Sequence, residues 1–225
     1  MAIWEWIQNH SLYILLTVST LFNWFWLAYT KERLATNRIV AFFLALIYTF
    51  LGVLCVKVFA FIESFEFGGM SLYGAVFFLP LLFYLTAKLF KKSLSDTFDC
   101  FTVCAVFTLL CARINCMMSG CCLGKDIPGT SGFRWPTREL EILFYVVLLI
   151  LLIRWDAKGA NKGILYPSFM LFYGFFRFIV EFFRVSGHMF GVFHISHLWS
   201  VVSVIIGLSI YLEIKSQNKK KEEGK

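Results

Sequence analysis

The chain has 225 residues, of which 59% are hydrophobic and 16% charged, and its mean hydropathy is +0.74. A soluble domain of that length cannot hide so much apolar surface, because burial is limited by the ratio of surface to volume. The net charge of +7 sits mainly in short loops and a terminal tail without interleaved aromatic rings, so it points to anionic lipid headgroups and not to nucleic acid.

A helix that crosses a bilayer needs roughly 20 mostly apolar residues. Seven runs meet this expectation: 11–29, 39–61, 72–90, 98–118, 139–155, 164–183 and 193–213. They are continuously apolar and lack the two-residue alternation of a membrane barrel, so the expected fold is all-α, a polytopic membrane helix bundle. The first run has neither a basic flank nor a small-residue cleavage site and reads as a retained helix. A single transmembrane domain is expected over 1–214, with a basic cytoplasmic tail over 215–225.

The basic residues orient the bundle. Thirteen lie in the loops and tail of one side: Lys31, Arg33, Arg38, Lys91, Lys92, Arg154, Lys158, Lys162, Lys215, Lys219, Lys220, Lys221 and Lys225. Four lie on the other: Lys125, Arg134, Arg138 and Arg184. This asymmetry places the N-terminus outside and the C-terminus in the cytoplasm, as an odd number of spans requires.

Four more cations fall within the runs. Lys57 and Lys88 lie near helix ends and can extend to the headgroups. Arg113 and Arg177 cannot; a guanidinium at mid-bilayer costs about 2.5 kcal/mol or more unless it is paired or faces water. Tyr173, Arg177, Glu181 and Arg184 recur at helical spacing and line one stripe, which belongs on the bundle interior. Two readings follow: a buried Arg177–Glu181 pair that satisfies itself, or an anion site in which two fixed guanidiniums meet a phosphate. The glycine-rich segment from Ser119 to Arg138 and the turn from Gly68 to Gly74 approach the same outer half.

From about Gly68 to Ser200, these segments together resemble the prolipoprotein diacylglyceryl transferase family. GGMSLYGA is similar to its GGMSxHGG segment, ARINCMMSGCCLGK to its GRIxNxxNGExxG signature, and RWPTRELEILFY to its HPTxLYE segment. LFYGFFRFIVEFFR resembles its YGxxRFxxEFxR helix with the spacing intact, and ISHLWS the start of its last helix. The resemblance implies a multi-pass protein of the bacterial cytoplasmic membrane. It also implies transfer of a diacylglyceryl group from phosphatidylglycerol to the cysteine thiol of a lipobox-containing prolipoprotein, with no metal and no cofactor. Arg113, Arg177, Glu181 and Tyr73 are then the catalytic set. Tyr173, Asn115, Gly124 and Arg184 are the residues that meet the lipid and, with the surrounding membrane lipids, hold it.

The chain departs from the family pattern at Tyr73, where the family has His, at Cys116, where it has Asn, and at Cys121, where it has Glu. Tyrosine is a poor base near neutrality. The Arg pair is kept while the acid/base set changes, so a lipid-binding relative, or one with another acceptor, is the alternative. Three rival classes remain: a thiol-redox protein using Cys121 and Cys122, a metal site built from His188, His194, His197 and those cysteines, and a transporter. A transporter built on inverted repeats often shows paired interrupted helices, and Gly74 and Pro80 interrupt only the third run here.

Overall fold

The computed structural model describes residues 2–34, 36–65, 69–130, 132–159, 162–185, 189–190 and 193–223. Gly68 and His188 lie outside them. Seven long helices stand where the apolar runs are: α1 (Ala2–Tyr29), α3 (Arg38–Ser64), α4 (Tyr73–Leu89), α5 (Leu94–Met118), α6 (Thr137–Ala157), α7 (Leu165–Glu181) and α8 (Ile195–Glu223). A single turn, α2 (Lys31–Leu34), links α1 to α3, and a two-residue hairpin, β1 (Met189–Phe190) with β2 (Phe193–His194), precedes α8. Four of the helices are long and apolar enough to cross a membrane: 5–29, 38–64, 94–118 and 195–218. The α4 helix is a shorter apolar one. The α6 helix carries charges at both ends and α7 has 17 residues, so neither meets that criterion, although both pack into the bundle.

Two helices, α1 and α8, run furthest beyond their apolar runs. The α1 helix begins before 11 because Glu5 and the polar residues after it extend it as an exposed stretch. The α8 helix continues through the Lys/Glu tail to Glu223, since Lys, Glu and Gln are good helix formers, and Gln217 bonds Glu213 one turn back.

The bundle is apolar outside and buries a set of polar and charged side chains among its apolar core. Phe25, Phe50, Leu81, Leu143, Phe175 and Ile205 are exposed, whereas Ser19, Asn23, Thr102, Arg113, Glu141, Arg177, Glu181 and Ser200 are buried. That arrangement is stable only in an apolar solvent, and the protein is an all-α membrane helix bundle. The α5 helix is its centre, packed on α1, α4, α6 and α7. Polar seams hold it: Ser19 Oγ meets Thr108 Oγ1 at 2.8 Å, and the Trp26 indole N–H donates to the Cys100 carbonyl at 3.1 Å. The α7 and α8 helices pack closely because Gly174 removes a side chain; a Cβ there would lie 2.7 Å from the Ser200 carbonyl oxygen.

At one end, Asp99 accepts from the backbone N–H of Gly163 at 2.6 Å and of Leu165 at 3.1 Å, which ties α5 to the start of α7. Arg33 joins this cluster through Asp156 at 2.6 Å and Asp96 at 3.4 Å. Lys57 and Lys88 are exposed, as their places near the helix ends require.

Candidate active site

At the opposite end from Asp99, three helices bring ionised side chains together. Arg113, near the C-terminal end of α5, places Nε 2.6 Å from Glu141 Oε2 in the first turns of α6. Arg177 on α7 donates from Nη1 to Glu141 Oε1, and from Nη2 to Glu181 Oε2 at 2.9 Å. Arg184, past the end of α7, reaches the same Glu181 oxygen at 3.8 Å. Cation and carboxylate alternate along the whole series. Arg113, Arg177, Glu141 and Glu181 are each at most 3% exposed, which excludes bulk water as their partner. Burying such groups costs several kcal/mol per ion, offset only when each charge is met with good geometry. A planar guanidinium suits this task, because Arg177 can serve two carboxylates at once.

The stripe on α7 follows from helical periodicity. Tyr173, Arg177 and Glu181 recur every fourth residue and all face inward, while Phe172, Phe175 and Ile179 are exposed. The Tyr173 ring lies 5.5 Å edge-on to Tyr73 and 6.4 Å from Tyr145. Its hydroxyl is fully buried and has no hydrogen-bond partner among the described residues. An unmet buried hydroxyl is costly, and a polar atom of a ligand would satisfy it.

The Tyr73 ring faces the Arg177 guanidinium, 6.0 Å from its centroid. Its hydroxyl is engaged by α8, donating to the Ser196 carbonyl at 3.0 Å and meeting Ser200 Oγ at 2.6 Å. Tyr73 therefore supports the arginine with its face and anchors the start of α8 with its tip.

Asn115 is not part of this cluster. Its Oδ1 accepts from Ser11 Oγ on α1 at 2.8 Å, because two residues along a helix turn the side chain away from Arg113. Asn115 instead lines a largely apolar cleft among α1, α3, α4 and α5, with Leu16, Val56, Leu79 and Thr108. Arg113 points away from that cleft toward α6 and α7. The ion-paired cluster is thus the chemical centre, and the cleft is a separate apolar surface along the same helix.

The loop after α5 is pinned over the charged end. Lys125 N–H donates to the Phe183 carbonyl at 2.8 Å, and Val185 N–H to the Leu123 carbonyl at 3.1 Å. Gly124 sits where the loop doubles back; a Cβ there would lie 2.0 Å from the Trp135 carbonyl oxygen. Arg184 also donates from Nη2 to Cys122 Sγ at 2.7 Å. The Cys122 thiol is held well below its ordinary range, first by a hydrogen bond from Cys116 and then by the charges of Arg184 and Arg113, which together outweigh its desolvation.

The structure does not bring histidines and cysteines into one cluster among the described residues. His197 Nδ1 accepts from the His194 backbone N–H at 2.9 Å, and the seven cysteines are free thiols. Sequence reasoning brought forward Arg113, Arg177, Glu181 and Arg184 but passed over Glu141, the carboxylate that joins the two buried arginines. The available signal was an acid inside the apolar run of α6.

Fold and site define a class: a multi-pass membrane protein with a buried arginine–glutamate centre beneath an ordered loop. A family profile described as prolipoprotein diacylglyceryl transferase matches residues 7–213, and the chain belongs to that family. It is similar to a Pasteurella multocida protein named phosphatidylglycerol–prolipoprotein diacylglyceryl transferase, with 31% identity over 175 residues, 69% of this chain and 63% of the relative. Proteins of the same name match from Mannheimia succiniciproducens, at 30% over 136 residues (56% of this chain, 51% of the relative), and Clostridium novyi, at 23% over 168 residues (68% and 65%). The chain spans less than two thirds of the length of each of these relatives.

Proposed function

We propose that the protein transfers a diacylglyceryl group from phosphatidylglycerol to the lipobox cysteine thiol of a prolipoprotein, in the bacterial cytoplasmic membrane. The observation that carries this reading is the pair Arg113 and Arg177 held on one carboxylate beside the unpartnered Tyr173 hydroxyl. The acceptor sulfur, as thiolate, forms a bond to the terminal glyceryl carbon. The bond from that carbon to the phosphate oxygen breaks, and glycerol 1-phosphate leaves with the electron pair. Negative charge on the phosphate oxygens is higher in the transition state than in the diester, so fixed guanidiniums lower the barrier. Glu141 and Glu181 position the arginines, Tyr173 donates to a phosphate or ester oxygen, and Arg184 adds charge at the headgroup. The apolar cleft beyond Asn115 accommodates acyl chain. With the N-terminus outside and the C-terminus in the cytoplasm, the charged end faces the side on which exported proteins emerge.

A second reading is favoured by one observation. Tyr73 stands where the family has His, and its hydroxyl is bonded to the Ser196 carbonyl and Ser200 Oγ. A relative that uses the same lipid donor with a different acceptor fits that geometry. The experiment that separates the two is rescue of bacterial cells depleted of their own diacylglyceryl transferase. Lipoprotein modification restored by the parent, and not by Arg113→Ala or Arg177→Ala, supports the first reading. A membrane-inserted protein that fails to restore it overturns the first and leaves the second.

A further inference from the structure

The end of α5 and the loop after it carry three cysteines whose thiols the backbone turns toward one another. Cys116 lies in the last turns of α5, and the Ser119 N–H closes that helix on the Asn115 carbonyl. The chain then passes through two left-handed residues, Gly120 at φ 72° and Cys122 at φ 59°. Consecutive side chains on an extended backbone point to opposite sides, and the left-handed turn at Cys122 cancels that divergence. A left-handed residue other than glycine, asparagine or aspartate is uncommon and is held by its surroundings. Here the holding contacts are the Arg184 guanidinium on Cys122 Sγ at 2.7 Å and the Ser119 hydroxyl on Cys121 Sγ at 3.4 Å. The Sγ atoms of Cys116, Cys121 and Cys122 all lie within 4.8 Å of one another.

We infer that Cys116, Cys121 and Cys122 form a binding site for one zinc(II) ion, with three thiolate ligands and an open fourth position. Zinc–sulfur bonds of about 2.3 Å set neighbouring sulfurs about 3.8 Å apart in a tetrahedral site, so the present triangle closes by about an ångström at most. Soft sulfur donors select zinc or copper(I) over magnesium or calcium, and zinc needs no change of redox state to stay bound. Arg184 supplies the donor that favours the ligating, deprotonated form of Cys122 and orients it. Cys121 is exposed and gives the ion a way in, while Cys116 and Cys122 are half-buried. No disulfide draws on these thiols, and the remaining cysteines, Cys55, Cys100, Cys104 and Cys111, lie along helices away from this loop. Because Arg184 also approaches Glu181, the site adjoins the arginine–glutamate centre, but zinc binding does not depend on the transferase reading.

The test uses the full-length protein in detergent, reduced with a phosphine, stripped of metal, and titrated with Zn²⁺ in competition with a chromophoric chelator. One zinc per chain is expected, weakened roughly 100-fold or more by Cys121→Ser or Cys122→Ser and unchanged by Cys55→Ser. Cys121 is exposed, so its serine variant folds and keeps the test decisive. Absence of zinc uptake by the reduced parent overturns the site, as does equal uptake by parent and Cys121→Ser. A thiol count of five before reduction, with no zinc taken up after it, also overturns the site and shows a disulfide in its place when Cys121→Ser loses it.

Discussion

Arg113 and Arg177, on different helices, are joined through the two oxygens of one carboxylate: Glu141 Oε2 lies 2.6 Å from Arg113 Nε, and Oε1 accepts from Arg177 Nη1. Glu141 therefore fixes the spacing between two guanidiniums that would otherwise repel. Glu141→Gln keeps the shape and removes the charge. Losing one partner of a buried ion pair typically costs about 3–5 kcal/mol, so a clear drop in the thermal midpoint of the detergent-solubilised protein is expected, with loss of lipid transfer. Unchanged melting would show that the arginines do not depend on Glu141.

Arg177 engages Glu141 and Glu181 through different nitrogens. Lysine carries the charge at one point and cannot hold both. Arg177→Lys is expected to lower transfer by about 100-fold or more at saturating phosphatidylglycerol, as removal of a fixed transition-state donor does. The measurement is kcat with membrane insertion checked in parallel.

The Tyr173 hydroxyl is buried and has no partner among the described residues. Tyr173→Phe removes it with little change in packing and relieves an unmet polar group, so stability is expected to stay level or rise slightly while the KM for phosphatidylglycerol increases. A fall in stability of more than about 1 kcal/mol would mean that the hydroxyl has a partner in the free protein.

Asp99 tests the other end of the bundle, since it accepts the N–H groups of Gly163 and Leu165 away from Arg113 and Arg177. Asp99→Ala leaves those donors unmet and is expected to cost about 1–3 kcal/mol of stability. Transfer per folded molecule should remain near that of the parent, as measured by activity normalised to a folded-protein assay.

The helices were legible because each is an uninterrupted apolar run, and Arg113, Arg177 and Glu181 because a charge in such a run has few places to go. Glu141 was not, because it shares the start of α6 with Arg138 and Glu139 and reads as ordinary interfacial charge. Only helix phase separates the 51% exposed side chain of Glu139 from the 2% exposed one of Glu141. Asn115 and Tyr73 show the same limit: sequence placed them near the site, but the partners of their polar atoms, Ser11 on α1 and Ser196 and Ser200 on α8, are far away along the chain. The thiol cluster depends on left-handed backbone at Gly120 and Cys122, which spacing alone does not reveal.

On the proposed reading, the Arg113–Glu141–Arg177 centre acts on the phosphate of phosphatidylglycerol. Its most direct test supplies purified protein with phosphatidylglycerol and a synthetic lipobox peptide, and measures the thioether-linked peptide and released glycerol 1-phosphate by mass spectrometry. Both products are expected in equal amounts from the parent, and neither from Arg113→Ala or Arg177→Ala. Products from a folded Arg177→Ala protein at the parent's rate would contradict it.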